Sequence, residues 1–325
     1  MSPAPRLYGG VDLGGTKIQA AVVGARGKVV GEAREPTPTA GGPLAVTEAV
    51  ALAMQLATSA AGIKPDALTA IGVGSPGNVD ERAGTVAQAR NVSGWDGAFP
   101  LAAKLSEALG TRVVLGNDVS VATKAEFDLG AGKPYRSLLG VFWGTGVGGG
   151  LILDGRPWVG RAAAGEIGHM VVRIGGRLCG CGRRGCLEAY AGRASMEAKA
   201  RRLVDQGEHT ALFEIMQKRG RTRLTSGVWE RALQQGDKVA QRLIDQAVEA
   251  LGAGIASADN LLDVEAVIIG GGLGTKLGEP YVERIREAMM PHLFVDDRPP
   301  ELHLSTLGDL GGAIGAALVA KTRKS

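Results

Sequence analysis

Residues 166–188 carry the densest set of chemically capable side chains in the chain. Glu166-Ile167-Gly168-His169 is followed by Cys179-Gly180-Cys181 and then by Cys186-Leu187-Glu188. All three cysteines of the protein fall in this stretch, the first of them ten positions after His169. One neutral imidazole and three thiolates make a closed tetrahedral shell for Zn²⁺, which leaves no position for water or substrate. A metal at His169, Cys179, Cys181 and Cys186 is therefore expected to be structural. Unrelated free thiols beside a buried histidine are the plainer alternative. A metal staple would hold the bracketing carboxylates of Glu166 and Glu188 rigid. Taken alone, Glu166 also suits a solvated loop, and Glu188 suits a helix start, where the dipole favours a negative charge.

Three glycine segments bear on phosphate. Gly144-Thr145-Gly146-Val147-Gly148-Gly149 satisfies GxGxxG, but the dinucleotide reading needs a helix to open there. Leu151-Ile152-Leu153 follows instead and is strand-like, so that reading fails. A tight hairpin remains, as does a turn whose backbone N–H groups hold phosphate oxygens. Asp12-Leu13-Gly14-Gly15-Thr16-Lys17 is not a Walker A loop. It still offers N–H donors, a hydroxyl, an ammonium and a carboxylate suited to hydrated Mg²⁺. A polar hairpin turn has the same composition. Gly270-Gly271-Gly272 fits close approach of a ligand or a flexible connection equally well. Two equivalent turns in the two halves favour a nucleotide shared between them.

Asn117-Asp118 stands where a strand-like run gives way to a helical one. Capping accounts for both residues, since Asn and Asp are preferred there. The functional reading makes Asp118 a general base that accepts the proton of an attacking hydroxyl, with Asn117 bonded to a neighbouring hydroxyl.

The elements that would position these groups repeat. Strands are expected at 7–11, 18–23 and 29–33, then a helix at 43–61 with an apolar face at Leu44, Ala49, Val50, Ala53, Leu56 and Ala57. A strand at 68–73, a helix at 100–109, a strand at 112–115 and a helix at 119–129 follow. From residue 137 the pattern restarts, with strands at 137–143 and 149–153 around the second glycine turn. A helix at 238–262, a strand at 264–269, a helix at 279–290, a strand at 302–305 and a helix at 310–320 complete it. The expected fold is a two-lobed α/β architecture with a central cleft. The lobes are 1–117 and 118–308, the second carrying the zinc loop 169–186. The closing helix, within 309–325, is expected to pack back on the first lobe.

Composition narrows the partners. A chain of 325 residues can bury two such lobes. Its 51 glycines are about twice the usual share of about 7%, and they cluster beside apolar runs, as ligand-approaching turns do. Aromatic residues are only 4%, which argues against stacking platforms for single-stranded nucleic acid. The net charge of +4 is dispersed, so no nucleic-acid partner is expected. The CxC spacing argues against a secreted disulfide framework. Ser2 to Pro5 lead into a strand-like run without a signal-peptide pattern. No apolar stretch approaches the roughly 18 residues of a membrane span. A cytoplasmic protein with no membrane partner is expected.

Together these segments resemble the ROK family of sugar kinases, its bacterial glucokinases in particular, over nearly the whole length. The resemblance rests on the segments at 12–17, 144–150 and 165–169, on Ser75-Pro76-Gly77, on Asn117-Asp118, and on Cys179-Gly180-Cys181-Gly182-Arg183-Arg184-Gly185-Cys186-Leu187-Glu188. Where the family commonly continues Ala-Asn-Ala after Asn-Asp, this chain has Val119-Ser120-Val121. The resemblance implies an actin-like, sugar-kinase fold with ATP and Mg²⁺ between the lobes. It implies phosphorylation of a hexose, glucose first, with mannose, fructose, N-acetylglucosamine and N-acetylmannosamine as alternatives. It implies Asp118 as base and Asn91, Asn117, Glu166, His169 and Glu188 at the sugar. Nucleotide contacts fall to Asp12, Gly14, Gly15, Thr16, Lys17, Gly144, Thr145, Gly146, Gly271 and Gly272. Homodimers are usual in the family. A sugar-responsive regulator is the other reading, but that role needs a helix-turn-helix segment, and only six residues precede the first strand.

Overall fold

The computed structural model describes residues 6–24, 26–89, 94–95 and 97–322. The first lobe is built on a five-stranded sheet in the order β3-β2-β1-β4-β7. β1 (Leu7–Leu13), β2 (Lys17–Gly24) and β3 (Val29–Pro36) form an antiparallel meander, while β4 (Ile71–Ser75) and β7 (Val113–Asn117) add in parallel. β5 (Asn78–Asp80) and β6 (Thr85–Ala87) make a separate hairpin. α1 (Gly42–Ala60) and α2 (Leu101–Leu109) connect these strands. Val11, Leu13, Ile18, Val22, Val50, Met54, Ile71, Leu101, Leu105 and Leu115 fill the core between helices and sheet.

α1 corrects one expectation. By length and apolarity it could cross a bilayer. Its Val46, Val50, Ala53, Met54 and Ala57 are instead buried in the first core. Small residues between the larger ones raise the mean hydropathy of a helix that lies on a sheet.

α3 (Asp118–Leu129) leads into the second sheet, ordered β10-β9-β8-β11-β12. β8 (Leu138–Trp143), β9 (Val147–Leu153) and β10 (Arg156–Pro157) are antiparallel, and β11 (Ala266–Gly270) and β12 (Glu301–Leu304) add in parallel. The order and polarity match those of the first sheet. Between β10 and β11 run α4 (Glu188–Ala191), α5 (Arg193–Asp205), α6 (Leu212–Lys218), α7 (Ser226–Gln234) and the long α8 (Lys238–Leu262). α9 (Gly271–Leu277) and α10 (Glu279–Met289) follow β11. α8 crosses the second core, and Asp237 caps it by accepting the Ala240 N–H at 2.7 Å.

The helices α5, α6, α7 and α9 were not among the expected elements as separate units. The helix that Glu188 starts is short and ends at Ala191. The chain breaks at Gly192, which is extended, because the Arg193 and Ala194 N–H groups donate to the carbonyls of Gly144 and Thr145.

α11 (Gly311–Thr322) closes the chain against β1, β4 and α3. The approach is so close that a methyl at Gly10 or Gly72 would fall 1.8 Å from a carbonyl oxygen of α11, that of Ala313 or Ala316. Three layers result in the first lobe: α1 and α2 on one face of the sheet, α11 and α3 on the other.

Candidate functional site

The zinc-ligand candidates converge. A short 3₁₀ turn at Ile167–His169 presents the imidazole, and the loop to Cys186 returns beside it. The four donor atoms of His169, Cys179, Cys181 and Cys186 all lie within 4.8 Å of one another. Cys181 Sγ and Cys186 Sγ are 3.7 Å apart, and Cys179 Sγ is 3.9 Å from His169 Nδ1. A tetrahedron with Zn–S bonds of about 2.3 Å has edges of about 3.8 Å, so the set fits the ion. Burial pushes the Cys179 thiol up to about 12, whereas a backbone N–H bond at Arg183 holds Cys181 down to about 7. Three thiols packed this closely need a cation to stand as thiolates together.

The metal loop is seated on the second sheet. A methyl at Gly168 would fall 2.0 Å from the Val147 carbonyl oxygen, so only glycine permits this approach. His169 turns its Nε2 toward Glu166, 3.9 Å from Oε2. Glu188, the first residue of α4, accepts the Val147 N–H on Oε2 at 3.0 Å, and its Oε1 lies 3.8 Å from Cys179 Sγ. Glu188 thus joins the metal loop to the end of the Gly144–Gly146 turn. Trp143 adds a second tie, since its buried indole N–H donates to the Ala191 carbonyl at 2.7 Å.

Asn117 and Asp118 sit at the junction of β7 and α3. Asn117 caps the helix: its Oδ1 accepts from the Val119 and Ser120 N–H groups, both at 3.1 Å. That leaves its amide NH₂ as donor. Asp118 accepts the Val119 N–H at 2.9 Å. Burial raises its carboxyl to about 6, against the lowering effect of the Val119 N–H, and the charge of Glu166 raises it further. The acid of the metal loop and Asp118 therefore face one another electrostatically. Gly148 lets α3 approach β9, because a methyl there would meet a Val119 methyl at 2.6 Å.

Asp12, near the end of β1, is raised to about 7, first by burial and then by the charge of Asp118. Its carboxylate accepts no hydrogen bond among the described residues. A half-buried, desolvated carboxylate without donors, within the field of a second one, is an environment that a hydrated Mg²⁺ would relieve. The β1–β2 turn is closed by the Gly14 N–H donating to the Lys17 carbonyl at 3.0 Å. The β8–β9 turn is closed by the Gly144 N–H donating to the Gly146 carbonyl, also at 3.0 Å. Gly15 and Thr16 lie at the open tip of the first turn. Lys17 pairs with Asp309 at 2.8 Å. Gly271 and Gly272 begin α9 directly after β11, with Gly271 at φ 80° against the Trp143 backbone. Asn91 lies outside the described residues.

Sequence reasoning missed Asp309, Ser226 and Arg193. Arg193 donates from Nη2 to the Thr145 hydroxyl and from Nη1 to the Ser226 hydroxyl, each at 2.8 Å. No periodicity or motif marks any of the three. The one available signal was a lone charge, Gly192-Arg193, where the chain leaves the metal loop.

Comparison with known proteins agrees with this architecture. The sequence model of the ROK family matches residues 8–323. A glucokinase of Halalkalibacterium halodurans is 33% identical over 98% of this chain and 96% of its own. An N-acetyl-D-glucosamine kinase of Salmonella heidelberg is 31% identical over 97% of this chain and 100% of its own. The crystal structure of a ROK family glucokinase from Streptomyces griseus, in complex with glucose and AMPPNP, superposes with a TM-score of 0.84 at 32% identity. It covers 98% of this chain and 100% of that one. The chain belongs to the ROK family and is an ATP-dependent sugar kinase.

Proposed function

We propose that the protein phosphorylates glucose at its 6-hydroxyl, with Asp118 as the general base. The observation that carries this reading is the placement of Asp118. It is half-buried at the β7–α3 junction, raised to about 6 by desolvation, and within the field of Glu166 beside the His169–Cys186 loop. A carboxylate with a pKa near 6 is ionised at neutral pH yet basic enough to take a hydroxyl proton as the oxygen attacks. Glucose as substrate is supported by the glucokinases among the relatives and by the glucose bound to the Streptomyces griseus enzyme. The N-acetylglucosamine kinases, at similar identity, make that sugar the competing substrate.

The other roles follow from position. The Asn117 amide, Glu166, His169 and Glu188 bond sugar hydroxyls, and the zinc quartet fixes the last three without touching the reacting atoms. Gly14, Gly15, Thr16 and Lys17 hold phosphate oxygens from one lobe, and Gly144, Thr145 and Gly146 from the other. Gly271 and Gly272 lie beside the remainder of the nucleotide. Asp12 would hold a hydrated Mg²⁺, which would supply neutralising charge to the transferred phosphoryl group. Phosphoryl transfer needs little covalent help, so positioning carries most of the rate.

The test is a substrate panel read by coupled ADP release. Glucose, mannose, fructose, N-acetylglucosamine and N-acetylmannosamine are compared by kcat/KM, with ATP and with polyphosphate. The expected result is highest kcat/KM for glucose with ATP. A higher value for N-acetylglucosamine would replace the sugar assignment, and turnover on none of them would overturn the reading.

A further inference from the structure

Arg193 opens α5 at the foot of the Gly144–Gly146 turn. Its guanidinium spans the Thr145 hydroxyl and the Ser226 hydroxyl, and its own N–H donates to the Gly144 carbonyl at 3.2 Å. Ser226 opens α7 and abuts α9: a methyl at Gly272 would lie 3.5 Å from its hydroxyl. One side chain thus joins the β8–β9 turn to a residue packed on the Gly271-Gly272 segment.

The charge of this guanidinium is met by the field of Glu197 rather than by a direct ion pair among the described residues. Among the described residues no carboxylate pairs with it. Glu197, whose charge reaches it, is committed to Arg201 at 2.6 Å and to the Leu224 N–H at 2.9 Å. Burial opposes the Arg193 charge, and Arg223 adds a second positive charge nearby. A guanidinium carries five donors, and two of them are engaged by protein acceptors among the described residues. For bridging two hydroxyls a neutral amide would serve without the desolvation of a cation. A half-buried guanidinium with spare donors suits a multiply charged oxyanion such as a phosphate, two of whose oxygens it can hold bidentately.

We propose that Arg193 binds the phosphates of the nucleotide at the Gly144–Gly146 turn. It supplies much of the preference for a nucleotide over its uncharged nucleoside. This rests on the reading of that turn as a phosphate site. The Thr145 and Ser226 hydroxyls hold the guanidinium plane in place before the nucleotide arrives, so its orientation is not an added entropic loss on binding.

Calorimetric titration with ADP and with adenosine, in the presence of saturating glucose, separates the roles. The wild type is expected to bind ADP much more tightly than adenosine. Arg193→Met is expected to weaken ADP by about tenfold or more, while adenosine stays within about twofold. KM for ATP rises in parallel and KM for glucose does not. Arg193→Lys, which keeps the charge and the fold, is expected to recover part of the ADP affinity. Equal weakening of ADP and adenosine would make Arg193 a structural strut and overturn the proposal, as would undiminished ADP affinity in both variants. Gly146→Ala tests the underlying reading separately. If it leaves ADP affinity intact, the turn is not the phosphate site. If it weakens ADP while Arg193→Met does not, only the role of Arg193 falls.

Discussion

Asp12 and Asp118 lie near the carboxyl ends of β1 and β7, the two strands that flank β4, and the charge of Asp118 helps to hold the Asp12 carboxyl up at about 7. Among the described residues neither forms an ion pair, although the Lys17 charge lowers Asp12 in part. Lys17, the ammonium nearest in sequence to Asp12, pairs with the exposed Asp309. Two acids set side by side at strand ends create a demand for positive charge that a Mg²⁺–nucleotide complex meets. Under the proposed function they divide the labour: one acid would hold the ion while the other remains a base.

Replacing the proposed base should separate binding from turnover. Asp118→Asn is expected to lower kcat by about 10²- to 10⁴-fold, the range ascribed to general acid–base catalysis. Glucose affinity, measured by titration without nucleotide, should change by less than about tenfold. Substantial residual kcat would remove Asp118 from the role of base.

The raised carboxyl of Asp118 sets two pH dependences. As a base it must be ionised, so kcat/KM should fall about tenfold per pH unit below about 6. Stability runs the other way. The folded-state value lies above that of an unfolded aspartate, so the folded protein binds more protons between about pH 4 and pH 6. Stability therefore decreases as pH rises through that window and levels off above it. Asp118→Asn removes this loss. Its stability relative to wild type, from urea unfolding at pH 4.5 and pH 8, should grow by about 1–3 kcal/mol toward the higher pH. A constant difference across that range would mean that the carboxyl is not raised.

The metal loop should carry one zinc per chain in protein never exposed to chelator. Cys181→Ser is expected to lose the metal and lower the Tm, because a structural zinc contributes folding free energy directly. KM for the sugar should rise by about 10-fold or more, since Glu166, His169 and Glu188 all hang on this loop. Metal analysis and steady-state kinetics check both halves. Full activity in metal-free protein would refute the structural staple.

The docking of α11 should be intolerant of a single methyl. At Gly72 an added Cβ would meet the Ala316 carbonyl oxygen at 1.8 Å, backbone against backbone, where no side chain can yield. Gly72→Ala is expected to cost about 1–3 kcal/mol or more in urea unfolding. Gly62→Ala, with open space at the Cβ but φ 71°, should be milder, as only local backbone strain opposes it. Equal losses at both sites would show that close packing is not what Gly72 provides.

Much of the fold was legible because it is written in local signals. Alternating and continuous apolar runs marked nine of the twelve strands, missing only the short β5, β6 and β10, and the 25-residue α8 was legible in full. The helical insertion before α8 was not, because its breaks are imposed from outside. Gly192 is extended because a distant turn offers its carbonyls to the next two N–H groups. β4 begins at Ile71 rather than at 68, after the 3₁₀ turn Pro65–Ala67 and a bend at residues 68–69.

By itself the sequence picked out the donor set of His169, Cys179, Cys181 and Cys186, since three thiols and an imidazole at that spacing suit a tetrahedral metal shell. It also determined the two hairpin turns, since glycine and polar residues between apolar strands admit little else. Only the tertiary structure decided which side chains these features serve. Lys17 pairs with a residue near the far end of the chain, Glu188 reaches back to Val147, and Arg193 reaches Thr145 and Ser226. Those partners are chosen by the packing of strands and helices remote in sequence. Charge balance and burial, which set the proton affinities of Asp12 and Asp118, do not exist until that packing is complete.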